Sequence, residues 1–172
     1  MLMQIIRCCG MYNISVIGGG DIDESTCKIA YRVGELLAKN GVTIVCGGLT
    51  GVMECVSRGA SDAGGMAIGI LPGSRVEEGN RYLSARLPTG IGYARDFLVV
   101  RMGEAVIAID GASGTHTEAY FALSERKSLI CMGDLSVRRE KETDGKLFRV
   151  TTPEEAVDIA LKEAKIYRES SG

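Results

Sequence analysis

The sequence predicts a Rossmann-like α/β domain of three layers: a mostly parallel sheet with helices on both faces. Three observations carry that prediction. Apolar runs of strand length alternate with segments of helical period. The runs are unbroken rather than alternately polar and apolar, as befits strands covered on both faces. Glycine is also in excess, 23 of 172 residues against a usual share of about 7%, and its clusters fall between strand ends and helix starts.

Taken in order, Asn13 to Gly18 reads as the first strand and ends in Gly18-Gly19-Gly20. Residues 24 to 40 place Cys27, Ala30, Tyr31, Gly34, Leu37 and Ala38 at helical spacing, and Asn40-Gly41 supplies a stop. Asp21 with Glu24 has the form of a helix-capping pair. Val42 to Cys46 is the second strand, followed by Gly47-Gly48 and Gly51. A helix over 52–63 ends at Gly64-Gly65, and Met66 to Leu71 is the third strand.

Residues 74 to 92 form a charged connection without clear period, in which Arg75 and Arg81 read as solvent-exposed. A helix is expected over 93–103 and a fourth strand over 104–109, ending in Asp110-Gly111-Ala112-Ser113-Gly114-Thr115. Then come a helix over 116–127, a fifth strand over 128–132 and a polar loop over 134–144. An edge strand over 147–150 and a final helix from Pro153 to about Tyr167 complete the chain. That helix opens on the capping box Thr152-Pro153-Glu154-Glu155. The expectation is one domain over 1–172, with 1–12 a loose extension and 168–172 a frayed tail.

Composition excludes several classes. A net charge of −2 without a basic stripe argues against a nucleic-acid partner. No apolar run approaches membrane-spanning length and no signal sequence is evident, so the expected setting is cytoplasmic, away from membranes. The six cysteines include no Cys-x-x-Cys pair, and His116 is the single histidine, so no metal site is expected. Most of the cysteines read as buried small hydrophobes in a reducing compartment.

The three glycine clusters share an address: the carboxyl ends of strands, where open α/β sheets bind ligands. Glycine permits close backbone approach, and helix N-termini offer unpaired amides to an anion. Gly18, Gly19, Gly47, Gly48, Gly51, Gly111, Ser113, Gly114, Thr115 and His116 are therefore the candidate phosphate-binding set. A Walker A lysine is absent, and Gly18-Gly19-Gly20-Asp21-Ile22-Asp23 lacks the last glycine of a dinucleotide fingerprint. ATP and NAD of the usual kinds are therefore disfavoured, and no cofactor is required.

The stretch Asp110-Gly111-Ala112-Ser113-Gly114-Thr115-His116-Thr117-Glu118 resembles the P-G-G-x-G-T-x-x-E motif of LONELY GUY-type phosphoribohydrolases, once widely labelled lysine decarboxylases. Cys46-Gly47-Gly48-Leu49-Thr50-Gly51-Val52-Met53 resembles their G-G-x-x-G-x-M signature. The layout is similar to the molybdenum cofactor carrier branch of that SLOG superfamily, over about residues 13 to 167. The resemblance implies a Rossmann-like fold, a phosphorylated ligand and a homo-oligomer, dimer or tetramer.

By the same resemblance, Arg95 and Glu118 occupy the positions of the catalytic arginine and glutamate, and Arg101 that of a second arginine at the ligand phosphate. Departures from the pattern are Asp110 for proline, Ala112 for glycine, Asp96 for lysine and Thr117 for an acidic residue. Without the resemblance, Arg95 and Arg101 also read as solvated helix charges. Glu118 equally reads as a first-turn complement to the helix dipole. The decarboxylase label fails on chemistry. Pyridoxal phosphate needs a Schiff-base lysine, and Lys28, Lys39 and Lys127 all fall outside the glycine loops.

Two functions follow. The first is a binding or carrier protein for a phosphorylated heterocycle, the molybdenum cofactor or a related nucleotide. The second is a hydrolase cleaving the N-glycosidic bond of a nucleoside 5′-monophosphate, with Arg95 and Glu118 catalytic.

Overall fold

The computed structural model describes residues 12–111 and 113–171. Seven strands form one sheet: β1 (Asn13–Gly18), β2 (Thr43–Cys46), β3 (Met66–Leu71), β4 (Ala85–Pro88), β5 (Ala105–Ile109), β6 (Ser128–Met132) and β7 (Leu147–Val150). Their order is β4-β3-β2-β1-β5-β6-β7, and every neighbouring pair is parallel. The helices are α1 (Glu24–Lys39), α2 (Val52–Asp62), α3 (Asp96–Met102), α4 (Ser113–Ser124) and α5 (Pro153–Ser171).

Both faces of the sheet are covered, which accounts for the unbroken apolar strands. In β5, Ile107 and Ile109 pack with Val33 and Leu37 of α1, Val56 of α2 and Ala160 of α5. The alternate residues Val106 and Ala108 pack with Val99 of α3 and Ala122 and Leu123 of α4. All of these side chains are essentially excluded from water. Each such burial of a Val, Leu or Ile side chain stabilises the fold by roughly 1.5–3 kcal/mol before entropy is counted.

The strand order determines where a ligand can sit. From β1 the chain steps outward through β2 and β3 to β4, then returns to lay β5 on the other side of β1. This reversal opens a crevice beyond the carboxyl ends of β1 and β5. Gly18 and Ile109 are register partners at that point.

Several boundaries differ from expectation. The connection over 74–92 contains a turn of 3₁₀ helix (Val76–Glu78) and the edge strand β4, whose Pro88 is tolerated because β4 has no partner on its far side among the described residues. The helix expected from residue 93 is a 3₁₀ turn, Gly92–Arg95, leading into α3. Helix α4 starts at Ser113, three residues early, and ends at Ser124, so Lys127 lies beyond it. Helix α5 continues to Ser171, where fraying was expected. The cap of α1 is Asp23 rather than Asp21: its Oδ1 accepts from the Thr26 amide at 2.8 Å, the reach that only the residue beside Glu24 has. The Thr152 cap of α5 is as expected, accepting from the Glu155 amide at 3.2 Å.

The cysteines divide. Cys46 and Cys131 are free and buried, as expected. Cys27 and Cys55 are joined in a disulfide between α1 and α2, which corrects their reading as free thiols. These two helices touch backbone to backbone. A Cβ on Gly34 would lie 2.1 Å from the Val56 carbonyl oxygen, and one on Gly59 2.0 Å from that of Tyr31. Twenty-eight residues separate the two cysteines, so only this helix crossing brings them together. Cys8 and Cys9, and the expected extension up to residue 11, lie outside the described residues.

Candidate functional site

A cleft of about 300 Å³ opens at the β1/β5 switch point, at the small end of the roughly 300–1,000 Å³ typical of ligand pockets. Gly18, Gly19 and Gly20 form one wall, and Gly114, Thr115 and Glu118 of α4 form another. Arg95, Asp96 and Tyr93 close it from the 3₁₀ turn and the start of α3, and Leu49, Thr50 and Met53 line the side facing α2. A larger groove, about 400 Å³, lies on the outer face of α4 around Tyr120 and Lys141. It has no glycine loop and no buried charge, so the switch-point cleft is the candidate site.

The first two glycine loops are built into each other. The Val52 amide donates to the Gly19 carbonyl oxygen at 2.9 Å, and the Thr50 hydroxyl donates to that of Gly20 at 3.0 Å. Gly51 makes this contact feasible: its φ is 68° and ψ −133°, and a Cβ there would lie 2.2 Å from the Gly19 oxygen. Gly47 serves a different purpose. A Cβ on it would lie 2.7 Å from Arg95 Nη2, so its absence leaves room for the guanidinium.

Arg95 is the charged centre of the cleft. It is only 5% exposed, donates through Nη2 to the Gly47 carbonyl oxygen at 3.3 Å and pairs with Asp96 through Nη1. Its buried Nε has no hydrogen-bond partner among the described residues. A buried donor without a partner costs about 1–3 kcal/mol, an expense that an arriving acceptor would remove. Burial pushes the Arg95 pKa down, and the charge of Glu118 opposes that shift.

Glu118 stands one turn into α4 and is 8% exposed. Burial raises its carboxyl pKa to about 7, with the Arg95 charge pulling the other way. The carboxyl therefore sits near half-protonation at neutral pH, a poise suited to proton transfer. Asp110, which stands where the family motif has proline, is turned into its own loop, where Oδ1 accepts from the Gly111 amide at 2.7 Å.

Of the residues singled out by the sequence, Gly18, Gly19, Arg95, Gly114, Thr115 and Glu118 meet in the cleft. Gly47, Gly48, Gly51 and Gly111 shape the loops behind it. Ser113 is exposed at the first position of α4 and His116 is half-buried; neither lines the cleft. Arg101 is not brought there. It lies exposed on α3, bidentate to Glu125 at 3.1 Å and stacked over Phe121. Six residues separate it from Arg95, so the helix carries it out of the crevice. Thr50, Met53 and Tyr93 are lining residues that the sequence did not single out, and Asp96, noted there only as a departure from the family lysine, lines the cleft too. The G-G-x-x-G-x-M signature already contained Thr50 and Met53, but nothing in the connection before α3 marked Tyr93.

The fold is that of a SLOG-type α/β domain with a cleft at its switch point. Residues 11–157 match the model of the SLOG cluster4 family, and the chain belongs to that family. It is 38% identical over 152 residues to an uncharacterized protein of Archaeoglobus fulgidus, covering 88% of this chain and 95% of that one. Among solved structures it is similar to the molybdenum cofactor binding protein of Rippkaea orientalis, at 30% identity and a TM-score of 0.81, covering 88% of this chain and 96% of that one. It is likewise similar to the molybdenum cofactor carrier protein of Chlamydomonas reinhardtii, at 25% identity and a TM-score of 0.77, covering 90% and 98%. Among the described residues no helix is long and apolar enough to cross a membrane.

Proposed function

We propose that the chain binds and carries a phosphorylated heterocycle, the molybdenum cofactor or a related nucleotide, in the cleft at the β1/β5 switch point. The observation that supports this most is Arg95, a buried cation with an unpartnered Nε, placed among the N-terminus of α4 and the first glycine loop. The phosphate is held by Arg95, the amides of Gly114 and Thr115 and the Thr115 hydroxyl, where the helix dipole favours negative charge. The ring lies toward Leu49, Met53 and Tyr93, which offer apolar and aromatic surface. The similarity to molybdenum cofactor binding and carrier proteins supports the choice of ligand class.

One observation favours a second reading, hydrolysis of a nucleoside 5′-monophosphate to free base and ribose 5-phosphate. Glu118, with a pKa near 7, faces the same cleft as Arg95, and a carboxyl so poised can activate water or stabilise a cationic ribosyl carbon. Incubation with purine nucleoside monophosphates, followed by assay for free base, separates the two. The carrier reading expects saturable retention of molybdopterin without base release. Base release that disappears in Glu118→Ala while binding survives establishes the hydrolase instead.

A further inference from the structure

We propose that the Cys27–Cys55 disulfide is a thiol–disulfide exchange site, opened by a dithiol reductant, and that its state controls the order of the paired glycine loops. Three independent features support this. Position is the first: Cys55 lies one turn after Gly51, with its amide bonded to the Gly51 carbonyl oxygen at 3.0 Å, and Cys27 is held one turn after the Asp23 cap. The bridge therefore clamps α1 to α2 at the ends from which the first two loops emerge, where those loops share the Val52–Gly19 and Thr50–Gly20 hydrogen bonds.

Access is the second. Cys27, Cys55 and Arg58 line an open surface depression with Gly20, Asp21 and Gly51, and Cys27 is the more exposed of the two residues. Chemistry is the third. Arg58 Nη2 approaches Cys27 Sγ at 3.7 Å and its guanidinium stacks over Tyr31 at 5.3 Å. A cation so placed stabilises a thiolate.

The exchange balances as follows. A thiolate of the reductant attacks Cys27 Sγ, the Cys27–Cys55 bond breaks, and the Cys55 sulfur leaves with the electron pair and takes up a proton. The second thiol of the reductant then closes its own disulfide, releasing Cys27 as a thiolate beside Arg58. Two electrons pass from the dithiol to the bridge; of the two protons the dithiol gives up, one ends on Cys55 and the other passes to solvent, leaving Cys27 as the thiolate beside Arg58.

The loop consequence is independent of any ligand, whereas a consequence for binding rests on the cleft being a phosphate site. The test uses the full chain with and without dithiothreitol. Alkylation and intact mass should show Cys27 and Cys55 blocked before reduction and modified after it. Amide exchange at Val52 and Cys55, whose N–H groups donate to the Gly19 and Gly51 carbonyl oxygens, should be slow in the bridged protein and several-fold faster in the reduced one, while β5 and β6 remain unchanged. Arg58→Met should slow reduction several-fold with the same end state. Free Cys27 and Cys55 without reductant, or loop exchange that is unchanged on reduction, overturns the proposal. Cys55→Ser should reproduce the fast exchange; should that variant not fold, the reduced wild type still decides. Failure of inorganic phosphate to protect the loops in either state counts against the phosphate site, not against the exchange site.

Discussion

Arg95 and Glu118 are both buried in one cleft, and each opposes the effect of burial on the other's ionisation. Burial alone would drive both toward neutrality; together they retain a cation beside a carboxyl poised near pH 7.

The first prediction follows from the sign of the Glu118 shift. Its folded pKa, about 7, lies above the ordinary 4.5, so the folded state favours the protonated form. The stability it contributes is fully present below about pH 4.5 and is lost as pH rises through 7. The difference of two to three pKa units amounts to about 3 kcal/mol at full ionisation. Glu118→Gln should therefore match the wild type in Tm at pH 5 and exceed it at pH 8. Thermal unfolding across that range checks this, and a variant less stable at pH 8 would contradict it.

Anion affinity should follow the same titration. Ionised Glu118 competes with an anion for Arg95, so sulfate, whose charge is constant over this range, should bind more weakly at pH 8 than at pH 6. Glu118→Gln should flatten that dependence. Calorimetric titration at the two pH values reads it directly.

The two arginines carried over from the family motif should separate. Arg95→Met removes charge-assisted hydrogen bonds of about 1.5–3 kcal/mol, and phosphate or nucleotide affinity should fall roughly ten- to hundredfold. Arg101→Ala removes an exposed pair with Glu125 and a surface contact over Phe121. It should leave binding unchanged and stability within about 0.5 kcal/mol. Equal losses in both variants would mean the cleft has been placed wrongly.

Gly51→Ala forces a side chain into a left-handed conformation and against the Gly19 carbonyl. Strain of this kind costs about 1–3 kcal/mol, which for a chain of this size lowers Tm by several degrees. Binding should also weaken, because the two loops must separate. Differential scanning calorimetry with and without phosphate checks both.

Much of this was legible in the sequence because periodicity and glycine placement are local signals. The unbroken strands, the glycine loops at their carboxyl ends and the motif around Gly114, Thr115 and Glu118 all pointed to the cleft that the structure forms at the β1/β5 switch point. What was missed depends on distant geometry. β4 is a four-residue edge strand inside a polar connection, recognisable only once β3 is beside it. The Cys27–Cys55 bridge exists because Gly34 and Gly59 let two helices touch. Arg101 shares a helix with the segment that follows Arg95, yet the 3₁₀ turn before α3 directs one inward and leaves the other to solvent. The sequence pointed to Asp21 as the cap of α1, but only the residue adjoining Glu24, Asp23, reaches the Thr26 amide.

The most direct test of the binding cleft is a nitrogen-15 chemical-shift titration of the full chain with inorganic phosphate and then a nucleoside monophosphate. Saturable shifts at the amides of Gly19, Gly20, Gly114 and Thr115, lost in Arg95→Met, are the predicted result. Shifts absent from those amides, or gathered instead around Tyr120 and Lys141 on the outer face of α4, would contradict it.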